Sequence, residues 1–289
     1  MNSSKKIGTK FNWTKEISLM PGYVIITLWV ALTFFLLAWI ISASFSTTRE
    51  IFGGRVFEFE TGLNFNNYVK VWTAHMVSAY FVNSLIYTVT TCVVTILIAA
   101  PAAYALARFK FKFNKLIQNM FIAALGIPAI MIIMPLFYLA TVLDLTNSRL
   151  TLTVIYICMS VPFTVYFLLP FFSNISSSYE EAAYMDGCGP IKTFWNIMFP
   201  LAQPGIITVT IFNFIIIWNE FFMALIFANH TRLRPLGVGL YTMIQSLRYT
   251  GDWAGMFAAV VIVFVPTLVV FLIFSEKIIA SVTGGGIKG

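Results

Sequence analysis

The residues able to do chemistry are few, and most stand apart. The chain has eleven Asp and Glu residues, two histidines (His75 and His230) and three cysteines (Cys92, Cys158 and Cys188). Catalysis needs a nucleophile, base and acid that converge, and two distant histidines with scattered carboxylates supply no such set. No Cys or His pair has metal-ligand spacing, and the cysteines make no disulfide framework. Gly284-x-Gly286-x-x-Gly289 has the spacing of a dinucleotide fingerprint but lacks its strand and helix, and no G-x-x-x-x-G-K-[ST] occurs. No catalytic residue, metal or cofactor is therefore expected in this chain. The exception to the scatter is one crowded segment: residues 173–204 carry Glu180, Glu181 and Asp186 against the single lysine Lys192. Its chemistry is that of docking.

The elements that position this segment are read from composition. Of 289 residues, 59% are hydrophobic and 10% charged, with mean hydropathy +0.87. A soluble domain carries about 25% charged residues, so this chain cannot cover a globule with polar surface. It reads as an all-α membrane protein with six spans, at about 24–43, 81–107, 116–143, 150–172, 205–228 and 255–275. The first is free of charge, and its aliphatic and Phe residues contribute roughly −4 to −7 kcal/mol to insertion. Pro101, Pro128, Pro135, Pro162 and Pro266 fall inside spans and suggest kinks. No internal repeat is found.

Net charge +7 reads as topology and not as a nucleic-acid surface. Lys5, Lys6, Lys10, Lys15, Arg108, Lys110, Lys112, Lys115, Lys192, Lys277 and Lys288 fall on one side, which the positive-inside rule makes cytoplasmic. Both termini are expected there. The external loops 44–80 and 229–254 are long; each suits a loosely packed cap or the docking of an external partner. Glu220 lies about 24 Å along the fifth span, towards its outer end. It suits a gate or packing contact, or a side chain reaching headgroups and Arg232.

The acidic loop itself reads as two short helices. Ser177 or Ser178 is placed to cap the first, with Glu180 or Glu181 completing a capping box. Gly187-Cys188-Gly189 breaks it, Pro190 suits the first turn of the second, and Pro200 stops that helix after Phe194, Trp195 and Ile197. Acidic residues are disfavoured against an anionic leaflet, so a protein groove is the expected seat.

Glu181-Ala182-Ala183, Gly187, Ile197 and Pro200 resemble the EAA motif of ABC importer permease subunits: E-A-A, three residues, G, nine residues, then I-x-L-P, with Phe199 replacing the usual leucine. Asn66-Asn67-Tyr68, Asn83-Ser84, Trp218-Asn219-Glu220-Phe221 and the ending 284–289 are similar to the smaller permease subunit of maltose-type carbohydrate importers. The resemblance implies a type I ABC importer permease fold in a bacterial cytoplasmic membrane. It implies a heterodimer with a second permease subunit, two ATPase subunits holding ATP and Mg, and an extracellular solute-binding protein. The loop would be a coupling helix in an ATPase cleft, using Glu180, Glu181, Ala182, Ala183, Asp186, Gly187, Ile197 and Pro200. Residues 229–254 would reach into the binding protein, and 284–289 would contact the ATPases. The solute would be a di- or oligosaccharide moved by alternating access. Asn83, Tyr87, Asn213, Trp218, Asn219 and Glu220 are the candidate pathway residues. A non-sugar solute and an ion-coupled carrier are the alternatives.

Overall fold

The computed structural model describes residues 13–284, and its elements are helical. On the chain run α1 (Trp13–Phe45), α2 (Thr48–Phe52), α3 (Asn66–Thr73), α4 (Val77–Arg108), α5 (Asn114–Leu125), α6 (Ala129–Val142) and α7 (Arg149–Asn174). Then come α8 (Ser178–Met185), α9 (Pro190–Thr193), a π-helical turn Phe194–Met198, α10 (Phe199–Leu201) and α11 (Gln203–Trp218). The chain continues with α12 (Phe222–Phe227), a 3-10 turn Thr231–Leu233, α13 (Leu236–Thr250) and α14 (Trp253–Gly284). Lys5, Lys6, Lys10, Lys288 and the tail 285–289 lie outside the described residues.

Four helices are long and apolar enough to cross a membrane, and six spans result if each of two bent pairs counts as one. Pro128 marks a kink as expected, but the bend there is far larger than a kink, and a second bend precedes the fifth span. α5 and α6 meet at 97°. Gly126 ends α5, and Pro128, extended at ψ 126°, has no N–H to continue the ladder and pushes Ile127 away from helical geometry. The helical unit Pro190–Leu201 meets α11 at 75° around Ala202, so Pro200 lies inside a helical turn and does not stop it. The fifth span is also divided: α11 ends at Trp218, and Asn219–Phe221 separates it from α12.

The core forms where α4 and α7 meet. Ala99, Ala100 and Ala103 of α4 are fully buried beside Val165, Leu168 and Phe172 of α7. Lipid is as apolar as the protein interior, so close contact of small residues, and not exclusion from water, holds such helices together. α1 is the opposite case. It touches α14 through the edge-on pair Trp39–Phe257 at 5.2 Å. Elsewhere it leaves Ile25, Trp29 and Phe34 uncovered.

Loop 44–80 is firmly packed. The Asn67 amide donates to the Ser44 and Ser46 carbonyls, both at 2.9 Å, and Tyr68 Oη lies 2.6 Å from Ser44 Oγ. Lys70 Nζ is 2.8 Å from Asp252, which ties α3 to the turn before α14. Burial alone would raise the Asp252 pKa, but the Lys70 cation and the Gly255 N–H outweigh it and hold the group below its ordinary value. Glu50 is buried and closes a capping box with Thr47. Its carboxylate accepts from Thr47 N and Oγ1 at 2.6 and 2.9 Å and from Thr61 N and Oγ1 at 3.0 Å each. The Thr47 N–H, then the Thr61 N–H and the two hydroxyls, lower its pKa to about 2.

The folded pKa of Glu50 lies below the ordinary 4.5, so its stabilisation is complete above that value and is lost as pH falls towards about 2. Thermal unfolding in detergent should therefore show the wild type losing stability across this window. Glu50→Gln should be less stable at neutral pH and flatter over the same range; parallel curves would sink the assignment.

Candidate functional site

The acidic loop folds as a knob carried by α4. Helix α8 ends in a glycine cap: Cys188 N donates to Ala183 O at 2.9 Å and Gly187 N to Tyr184 O at 3.0 Å. Gly187 sits at φ +75°, and a Cβ built there would meet nothing within 4 Å. The constraint at this position is the left-handed backbone, which costs an ordinary residue about 1–2 kcal/mol. Pro190 opens α9 as expected.

Glu180 has a different role from the one expected. Ser177 makes no side-chain cap on α8, and the predicted capping box is absent. Glu180 faces α4 instead: Tyr104 Oη donates to it at 2.6 Å and Arg108 Nε at 2.7 Å, with a second, very short contact from Arg108 Nη2. Arg108 Nη1 reaches the Ile175 carbonyl at 3.0 Å. The planar guanidinium thus grips both the acid and the backbone leading into α8. Because α4 satisfies Glu180, that residue is not available to pair with an outside cation. Phe194 is likewise buried, not exposed, with its ring 5.2 Å from Tyr104 and 6.1 Å from Phe172. Ala183 and Met198 are buried, and Ile197 packs against the same core.

What remains on the surface is specific. Glu181, Ala182, Asp186, Gly187 and Pro200 are exposed. Around them stand Tyr184, Met185 (88% exposed) and Ile191 (77%). The knob therefore presents two carboxylates amid uncovered apolar side chains, on a base locked to α4 and α7.

The candidate pathway residues are placed mostly inside the chain. Asn83 donates to the Arg232 and Arg234 carbonyls at 2.8 and 3.0 Å and accepts from Arg149 at 2.6 Å. Tyr87 Oη donates to Leu233 O at 3.0 Å, and Ser84 Oγ accepts from Leu236 N at 2.8 Å. These neighbours hold the segment before α13 against α4. Asn213 donates to Thr164 at 2.9 Å and Trp218 Nε1 to Val263 O at 3.1 Å. Asn83, Tyr87, Asn213 and Trp218 are buried within this chain alone. Asn219 is exposed. Glu220 accepts from Tyr156 Oη at 2.5 Å and from the N–H groups of Met223 and Ala224 at 2.7 and 3.1 Å. It packs inward and starts α12, and it does not reach outward to Arg232. The cysteines are free, and no group of three His, Cys, Asp or Glu able to hold a metal occurs among the described residues.

Residues 95–276, which include the knob, match the family model described as binding-protein-dependent transport system inner membrane component. The chain belongs to this family. It is a multi-pass permease component of the cytoplasmic membrane within an ABC transport system, not an enzyme. The diacetylchitobiose uptake system permease protein NgcG of Streptomyces coelicolor is 34% identical, over 91% of this chain and 87% of its own length. The trehalose/maltose transport system permease protein MalG of Thermococcus litoralis is 31% identical, over 95% and 98%. The trehalose transport system permease protein SugB of Mycobacterium tuberculosis is 29% identical, over 96% and 97%. A crystal structure of a bacterial ABC transporter that imports the acidic polysaccharide alginate has the same fold, with TM-score 0.82 over 92% of this chain and 98% of that one at 24% identity.

Tyr104, Arg108, Arg149 and Tyr156 were missed in the sequence. Arg108 counted only as a topology charge, and nothing local marks the other three as partners of distant groups.

Glu180→Ala should leave Arg108 with an unpaired, largely buried charge and cost about 1.5–3 kcal/mol. A double-mutant cycle of Glu180→Ala with Arg108→Ala, followed by thermal unfolding, should show the pair costing less than the sum of the singles. Strict additivity would mean the contact contributes nothing.

Proposed function

We propose that this chain is the smaller of two non-identical permease subunits in a binding-protein-dependent carbohydrate importer, and that the α8–α10 knob couples it to a separate ATPase. The observation carrying this reading is the division of labour within the knob. Glu180 and Phe194 lock its base to α4 and α7, while Glu181, Asp186 and the apolar Met185 and Ile191 remain uncovered. An uncovered apolar patch rimmed by charge marks an interaction surface. Acids at its edge suit charge-assisted bonds to basic residues lining a cleft.

In this reading two ATPase subunits bind ATP and Mg and seat the knobs of both permeases. Closing of the ATPase pair moves the knob, and the Arg108 grip with the Phe194 and Met198 packing carries that displacement into α4 and α7 as one body. The bends at 126–128 and around Ala202 are the joints where helices change direction relative to that body. A cavity between the two permeases then opens to one side or the other. An extracellular binding protein docks on segment 229–254, whose Tyr249 is 91% exposed beside Gly251 at φ +61°. Both chain termini lie in the cytoplasm. The names of NgcG, SugB and MalG support a di- or oligosaccharide as solute. Asn219, the exposed member of the candidate set, is the first residue to test for solute contact.

Glu181→Lys and Gly187→Leu should insert normally yet lower ATP-dependent uptake of a labelled disaccharide about tenfold or more, as expected for one lost charge-assisted contact. The ATPase subunit should also fail to co-purify. Wild-type uptake by the well-expressed double variant would sink the coupling role. Uptake driven by an ion gradient without ATPase would sink the importer reading.

A further inference from the structure

Between α4 and α5 the chain reads Phe109-Lys110-Phe111-Lys112-Phe113-Asn114-Lys115. The three phenylalanines and three lysines are all exposed. Among the described residues, none of these lysines makes an ion pair; the carboxylate held at this end of α4, Glu180, is taken by Arg108. The Lys112 ammonium instead stands 5.6 Å from the centre of the Phe113 ring.

The segment is built, not loose. The Asn114 amide donates to the Leu106 and Phe109 carbonyls at 2.9 and 2.7 Å, and the Gln118 amide donates to Leu106 O at 3.1 Å and to Asn114 Oδ1 at 2.6 Å. Two side chains of α5 thus satisfy carbonyls that the end of α4 leaves open. Asn114 N closes a tight turn onto Phe111 O at 3.1 Å. Phe109 is extended, at φ −98° and ψ 133°, so neighbouring side chains there leave on opposite sides of the backbone.

We propose that this segment is a headgroup site for an anionic phospholipid of the leaflet beside the coupling knob. The phenylalanines join the ends of two apolar helices, α4 and α5, and are exposed where such ends would meet a lipid interface. The lysines supply three unneutralised cations in the same segment, which complements a phosphodiester anion. The site is also wired to the knob. Phe109 packs edge-on against Tyr104 at 5.6 Å, and Tyr104 donates to Glu180. Arg108, one residue before the segment, grips Glu180 directly. A bound headgroup therefore fixes the anchor on which the knob stands, and the lipid dependence of transport enters through that anchor. That this leaflet is the cytoplasmic one rests on the proposed function; that the segment and the knob share a side follows from the Arg108–Glu180 contact.

The test compares the full chain with Lys110→Gln/Lys112→Gln/Lys115→Gln in bilayer discs of phosphatidylcholine with and without phosphatidylglycerol. Lipid retained after extraction is read by native mass spectrometry. The wild type should retain phosphatidylglycerol over phosphatidylcholine, and the triple variant should lose up to about a hundredfold of that preference, each lysine contributing about fivefold. Unchanged melting of the variant in detergent shows that it folds. Lys192→Gln, which removes an exposed lysine of α9, should retain the lipid like the wild type. Equal retention by wild type and triple variant overturns the site, as does an equal loss in Lys192→Gln. Loss of the co-purified ATPase by the triple variant with phosphatidylglycerol retained would overturn it in favour of a protein contact. Retention is measured without the ATPase, so a failure of the coupling role leaves this result readable.

Discussion

A guanidinium at the end of α4 and a carboxylate at the start of α8 meet across 72 residues of sequence. The placement of the whole knob depends on that meeting. Both groups are largely removed from water, where each alone would be costly, so the pair is compelled to form once the helices pack. Tyr104 and the Ile175 carbonyl complete the set of partners. Once Glu180 is held, Ala183, Phe194 and Met198 close over the α4–α7 core, and the outer face of the knob is fixed as what remains. Surface and anchor are thus separated within a few residues: Glu180 belongs to the fold, and its neighbour Glu181 is left outward.

The other end of the molecule follows the same rule with amide, hydroxyl and carboxylate side chains. Asn83, Ser84 and Tyr87 lie on one face of α4 and bind the backbone of the segment leading into α13. Glu220 and Tyr156 secure the break between α11 and α12. At these two places the chain leaves regular helix and its freed N–H and C=O groups find side-chain partners, which a hydrocarbon surrounding could not supply. Helix α4 carries clamps at both ends and the alanine face between them, which makes it the element through which the two ends are mechanically joined.

Much of this was legible in the sequence. Apolar runs and their few interruptions mark the helices, and the spacing from Glu181 to Pro200 marks the knob. The bends were not legible, because a run that is apolar on every side has no polar face whose phase would reveal a change of direction. Pro128 signals a disturbance, but neither its 97° size nor the continuity of α7 through Pro162 and Pro170 can be read from the residue alone. The partners of Asn83, Tyr87 and Asn213 were not legible for a related reason. An amide or phenol in a span must find a partner, and sequence does not tell whether that partner is a solute or a carbonyl of the same chain. Glu180 and Glu181 look equivalent on paper; only the rotation of α8 against α4 distinguishes them.

The clamp on the segment before α13 grips peptide carbonyls, those of Arg232, Leu233 and Arg234, and every residue type has one. The side chains of Thr231 and Arg232 remain exposed. Such a joint is indifferent to the spelling of what it holds. Segments of different character can be exchanged at this position without rebuilding the scaffold beneath, because only what projects from a backbone held in place has to change.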